Sequence, residues 1–148
     1  MKTIYHQKAT VVFFIAMAAV MVHLSGCGGD PAPSKQEEVT AKLTAATWEM
    51  QDVTVDGTDK TSVYEGLDIS FTATGFTTTN GGAIWPATGT WSFTDANATA
   101  ITRNDGLTVT LLEVTDTSLT LALTWSKTTL GPGRTGSVSG QHVFSFGN

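Results

Sequence analysis

The chain has 148 residues, with eight basic and 13 acidic side chains, a formal net charge of −5 and a single cysteine. That length holds one folded domain beside a targeting segment, and one cysteine excludes an intramolecular disulfide framework. The acidic balance excludes a nucleic-acid partner, whose phosphates demand Lys and Arg.

The first eight residues carry Lys2 and Lys8 and no acid, and an almost wholly apolar run follows from Ala9 to Leu24. A spanning helix needs roughly 20 apolar residues. This run is about 15, the length of a signal-peptide core. The order of basic, apolar and small residues predicts a secretion signal over residues 1–26. The tetrapeptide Leu24-Ser25-Gly26-Cys27 resembles a bacterial lipobox. That resemblance implies that a diacylglyceryl group is joined to the Cys27 sulfur and that the signal is cut just before it. Each buried methylene contributes about 0.8 kcal/mol, so several acyl chains make a lasting membrane anchor. Gly28, where an aspartate would signal inner-membrane retention, resembles the pattern for export to the outer membrane. The expected mature chain, Cys27–Asn148, keeps six basic residues against 13 acidic ones, a net charge of about −7.

Residues 27–42 read as a tether and short helix. Gly28 to Glu38 is Gly, Pro, Ser and charge, with nothing to bury. Ser34 and Glu37 have the spacing of a capping box, which predicts a helix near 36–45. From Thr47 onward β-branched and aromatic residues dominate, with period-2 alternation that gives each strand one buried and one wet face. Leu67, Ile69 and Phe71 form one such face; Leu119, Leu121, Leu123 and Trp125 form another. The pattern predicts strands near 47–55, 67–73, 75–80, 88–94, 98–103, 106–114, 118–126 and 138–146, separated by Asp56-Gly57, Asn80-Gly81-Gly82 and Asn104-Asp105-Gly106 turns. The expected fold is all-β: an eight-stranded antiparallel up-and-down barrel over 43–148, preceded by a short helix, with a β-sandwich as the alternative. Trp48 and Met50 share one face while Val53 and Val55 share the other, and Leu111-Leu112 shows a similar step. Both predict β-bulges.

Four stretches carry a family resemblance: Leu43-x-x-x-x-Trp48, "IWPATGTWSF" (84–93), "RNDGLTVTL" (103–111) with "SLTLALTW" (118–125), and "GRTGSVSGQHVFSF" (133–146). On these the domain resembles the small bacterial lipocalin-like lipoproteins. The resemblance implies a lipocalin-like eight-stranded barrel. True lipocalins carry Gly-x-Trp at the first strand and a late arginine over that Trp. Here the tripeptide is Ala46-Thr47-Trp48, and Arg134 is the late arginine, in an expected loop.

Catalytic chemistry has little to work with. His6 and His23 leave with the signal, Cys27 is expected to be acylated, and His142 alone remains. No His/Cys cluster has metal-ligand spacing, and no nucleophile elbow is present. Gly131-Pro132-Gly133-Arg134-Thr135-Gly136 matches a dinucleotide motif by letter, but a strand and not a helix follows it; it reads as a loop joining the last two strands. The chain is therefore read as a non-enzymatic, envelope-anchored lipoprotein without cofactor or metal. Its expected partners are the membrane, through Cys27, and a small apolar ligand. The candidate ligand-binding residues are Trp48, Trp85, Trp91, Trp125 and His142. Trp91 and Trp125 face inward by alternation, Trp48 plugs one barrel end, and Trp85 packs over a mouth or offers a contact surface. His142 shares an inward face with Phe144 and Phe146, where burial lowers its pKa. The alternative is a structural or interaction module touching glycan or another envelope protein through Trp85 and the 127–137 loop. Nothing in the sequence sets the oligomeric state.

The anchor gives a direct test. Cys27→Ser leaves the barrel folded but moves the protein out of the membrane fraction, and radiolabelled palmitate enters the wild-type chain alone. Palmitate absent from the wild type in a lipidating host rules the anchor out.

Overall fold

The computed structural model describes residues 32–131 and 134–148, without the side chains of Thr129, Gly131 and residues 134–136. The expected signal 1–26, Cys27 and the start of the tether lie outside the described residues, as do Pro132, Gly133 and the Arg134 side chain. Ser34 caps the first element. Its hydroxyl accepts from the Glu37 amide at 3.3 Å, and the Glu37 carboxylate accepts from the Ser34 amide at 2.7 Å. Both groups would otherwise be orphan donors of the first turn. Helix α1, Lys35–Leu43, buries Val39 and Leu43.

The strands follow the alternation closely. They are β1 Thr47–Val55, β3 Asp68–Phe71, β4 Gly75–Thr79, β5 Thr88–Phe93, β6 Ala100–Arg103, β7 Thr108–Val114, β8 Ser118–Trp125 and β11 Gly140–Gly147. Each pairs antiparallel with its neighbour in this order, and β11 returns to pair with β1. The result is a closed eight-stranded up-and-down barrel, and not a sandwich. A short strand β2, Thr58–Asp59, extends the β1 edge, and one turn of 3-10 helix, Thr61–Val63, follows it.

Both expected bulges are present. The β1–β11 register slips between Met50 and Asp52, which lets Trp48 and then Val53 and Val55 all point inward. The β7–β8 register slips between Leu111 and Glu113, which turns Leu112 out to 56% exposure. The 127–137 segment departs from expectation: Thr129–Gly131 and Arg134–Ser137 pair as a separate hairpin, β9–β10, rather than a plain loop. The Gly-Pro-Gly punctuation hid the β-branched residues on either side of it.

Register places the two barrel ends. The short connections 72–74, 94–99 and 115–117 lie at the end where β1 begins, beside α1. The long ones, 56–67, 80–87 and 126–139, lie at the other, where β1 ends opposite His142. Trp48 closes the helix end: its indole N–H donates to the Leu43 carbonyl at 2.9 Å, joining helix to barrel. At the far end Tyr64, Ile84 and Trp85 fold inward from loops and are buried. Gly81 permits this, since a Cβ there would stand 2.0 Å from the Trp85 carbonyl oxygen.

Aromatic rings run through the interior in edge contacts. Phe144 meets Tyr64 at 5.4 Å and Trp85 at 6.0 Å, Trp85 meets Phe76 at 5.8 Å, and Phe71 meets Trp91 at 6.2 Å between centroids. Such pairs contribute about 0.5–1.5 kcal/mol each beyond their buried area. Phe144 sits at the junction of four rings. Phe144→Ala is expected to cost about 3–5 kcal/mol, read by urea unfolding as a lowered midpoint at unchanged m-value. A loss under 1 kcal/mol would mean that the barrel repacks around the void.

Candidate functional site

The sequence-selected residues are placed on separate parts of the barrel, and most are consumed by packing. Trp48 is fully buried at the helix end. Trp91, on β5, is buried, and its indole N–H is shared between the carbonyls of Thr72 at 3.2 Å and Gly75 at 3.0 Å. Trp125, at the end of β8, is half-buried against the core. The Trp85 side chain is 1% exposed. This excludes the reading of Trp85 as an exposed contact surface; it packs inside the long-loop end instead. The physical reason is the tight Gly81–Trp85 turn, in which the Trp85 amide donates to the Gly81 carbonyl at 3.0 Å.

Trp85 lies beneath a residue that alternation could have flagged. On β6, Ile101 and Arg103 share the inward face, and both are buried. The Arg103 guanidinium lies 5.0 Å from the Trp85 ring centroid and 5.7 Å from that of Phe76. It donates to the Ile84 carbonyl at 2.6 Å and makes a two-pronged ion pair with the Asp105 carboxylate. A buried cation is costly unless paired and hydrogen-bonded, and the Asn-Asp-Gly turn after β6 supplies the pairing. The arginine holds the Asp105 carboxyl below the ordinary carboxylate range. The ring of Trp85 is thus covered by a cation from β6, while the role expected of Arg134 falls on a side chain outside the described residues.

His142 does face inward. It is fully buried, stacked on Phe144 at 5.5 Å, with Tyr64 edge-on at 5.6 Å. Its Nδ1 lies 3.1 Å from the Gly140 carbonyl and its Nε2 lies 2.7 Å from the Tyr64 hydroxyl. A carbonyl can only accept, so Nδ1 carries the proton, and Nε2 accepts from Tyr64. The Tyr64 oxygen in turn accepts from the Val138 amide at 3.2 Å. Burial lowers the His142 pKa, against opposing contributions from the Gly140 contact and the Asp56 charge. Burial raises that of Tyr64. Asp56, in the turn after β1, is the acid whose charge acts on the histidine.

Pockets that open to solvent include one beside α1 and one between β7, β8 and β11. The larger, about 790 Å³, lies where α1 passes the β3–β4 turn and β5. Ser34, Glu37, Thr40 and Ala41 form one wall, Ala73 and Thr74 another, and Trp91 and Phe93 the floor. The smaller, about 350 Å³, lies between Leu107, Thr110, Leu123 and Gln141. Trp48, Trp85, Trp125 and His142 line neither of these two; Trp91 of the expected set lines the larger. Among the described residues no group of three His, Cys, Asp or Glu is placed to hold a metal ion, and no helix is long and apolar enough to cross a membrane. Comparison with family models, curated proteins and solved structures gives no match.

The Arg103–Asp105 pair sets a testable requirement. Asp105→Asn leaves the cation buried without its counter-charge. Fully buried pairs lose about 3–5 kcal/mol in this way, and the half-exposed carboxylate reduces the expected loss to about 1–3 kcal/mol. Because the folded pKa is depressed, the stabilisation is present above the unfolded value of about 3.9 and is lost as pH falls through the lower folded one. Urea unfolding at pH 7 and pH 3 should show the variant and wild type converging in acid. A constant gap would assign the loss to packing instead.

Proposed function

We propose that the chain is a lipid-anchored protein of the bacterial cell envelope, held at the outer membrane through Cys27, whose lipocalin-like barrel is a non-enzymatic binding module. Its ligand is a small apolar molecule, taken in the open groove floored by Trp91 and Phe93 rather than along the barrel axis. The Leu-Ser-Gly-Cys sequence and the apolar run before it support the anchor. One observation carries the binding reading: side chains fill the barrel interior, Trp48, Trp85, Arg103, His142 and Phe144 among the most deeply buried, while the groove beside α1 offers aromatic surface and about 790 Å³. Ligand pockets of drug-sized molecules fall in the range of about 300–1,000 Å³ and combine apolar lining with a few polar groups. The hydroxyls of Ser34, Thr40 and Thr74 supply these at the rim.

A second reading has its own support. Leu112 and Leu130 are the two large apolar side chains left exposed among the described residues, at 56% and 80%. Leu130 lies in the 127–137 segment, the stretch through which an interaction module would touch another envelope protein.

The groove is tested by filling it. Ala41 and Ala73 are exposed on its walls. The double variant Ala41→Arg, Ala73→Arg should leave the melting temperature within a few degrees of wild type. Native mass spectrometry of the full-length protein, extracted from its own host, is expected to find a small apolar molecule on the wild type and none on the variant. A ligand retained by the variant, or none on either, removes the groove from the account.

A further inference from the structure

The groove beside α1 is aromatic on its floor, and its wall carries a charge. Among the described residues that line it, Glu37 alone is ionisable. The capping box sets the state of that carboxylate. Oε2 accepts from the Ser34 amide at 2.7 Å and from the Ser34 hydroxyl at 2.8 Å, while Oε1 takes no bond among the described residues. The bonds from Ser34, the backbone one first, hold the Glu37 carboxyl below its ordinary range. Thr40, three residues on and so next to Glu37 on the helix surface, adds a hydroxyl to the same wall.

No basic group on that wall offsets the carboxylate. Lys35, at the start of α1, is engaged by Glu38 at 3.2 Å. A helix N-terminus ordinarily attracts an anion. Here the Glu37 carboxylate already holds that place, and a second anion would meet its like charge. The formal charge of −5 on the chain acts in the same direction, since a negative surface gathers cations near it. The floor sets the other half of the ligand. Trp91 and Phe93 meet edge to face at 5.0 Å between centroids. The Trp91 N–H is used by the Thr72 and Gly75 carbonyls, so the ring offers carbon surface and no donor.

We propose that the groove selects a cation: its ligand is an organic ammonium, with an apolar body on Trp91 and Phe93 and a charged head at Glu37 Oε1 and Thr40. This deepens the binding reading above and rests on it. An alcohol of the same shape gains the apolar contact and a hydrogen bond. A carboxylate gains the apolar contact and meets the charge of Glu37. Glu37 is exposed, so salt screens the preference and keeps it modest.

Three probes with one apolar cage and different heads provide the test: adamantylammonium, adamantanol and adamantanecarboxylate. Each is titrated at neutral pH and low salt into the full chain in nanodiscs of zwitterionic lipid, and the Trp91 indole N–H resonance reports occupancy of the groove. The ammonium should bind about tenfold more tightly than the carboxylate, with the alcohol between them. The preference should shrink in about 1 M salt, where the screening length is about 3 Å. Glu37→Gln keeps the capping box, since glutamine serves at that position, and removes the charge. In that variant the ammonium should bind no more tightly than the alcohol, at unchanged helix content. Equal binding of the three heads to the wild type overturns the cation preference and leaves the groove as a binding site. An ammonium preference that survives Glu37→Gln overturns it as well. A Trp91 resonance that no probe moves removes the groove reading and this proposal together.

Discussion

Pairing of β11 with β1 is the constraint on which the remaining structure depends. A meander of antiparallel strands has two open edges, each with a row of unpaired amides and carbonyls. Here the edges meet from Glu49–Gly147 to Val55–His142, and every strand gains a neighbour on both sides. That ladder cannot run straight. β1 must pair with β3 through Thr47–Glu49 on one side while it pairs with β11 on the other. The bulge between Met50 and Asp52 supplies the bend. It also re-phases the side chains, so that Trp48 and Val53, an odd number of residues apart, both reach the core. Without that extra residue, half of β1 would present its apolar side to water.

Closure makes an interior, and the side-chain inventory then fills it. An eight-stranded barrel encloses room for its own side chains or for one small ligand. Here loops from the far end add Tyr64, Ile84 and Trp85 to what the strands already contribute. Burying a charged or strongly polar group in so full an interior is costly without a local partner. Arg103 takes the Ile84 carbonyl and Asp105; His142 takes Tyr64 and Gly140. Both arrangements join a strand to a loop of the same barrel end. The polar groups therefore lock the loops onto the strands, while the apolar contacts hold the strands to each other.

The strands and the helix were legible because their signals are local. Alternation over a few residues marks a strand face, and Ser34 with Glu37 marks a helix start. The bulges were legible for the same reason, as breaks in an otherwise regular period. The inward turn of His142 could be read from Phe144 and Phe146 beside it. Its partner could not, because Tyr64 stands 78 residues away in a stretch with no regular period. For Trp85 the sequence left two readings, packing over a mouth or an exposed contact, because Trp-Pro in a polar, Gly-rich stretch carries no period; its burial depends on Gly81 and on Arg103 from β6. Arg103 was overlooked for the opposite reason. Its alternation with Ile101 is plain, but an arginine on an inward face reads as an error of register until a counter-charge such as Asp105 is placed beside it.

The two ends of the barrel differ in kind, and that difference orders the functional possibilities. The helix end is closed by Trp48 and α1 through an indole-to-carbonyl bond and apolar contact. Neither involves a group that titrates near neutral pH. It is also the end where α1 joins the barrel, and Ser34 at the start of α1 lines the groove beside Trp91. The far end is closed by three long loops whose ties include an imidazole and an arginine–carboxylate pair. Hydrogen bonds of that sort are directional, so they fix the long loops at set positions over the ladder beneath.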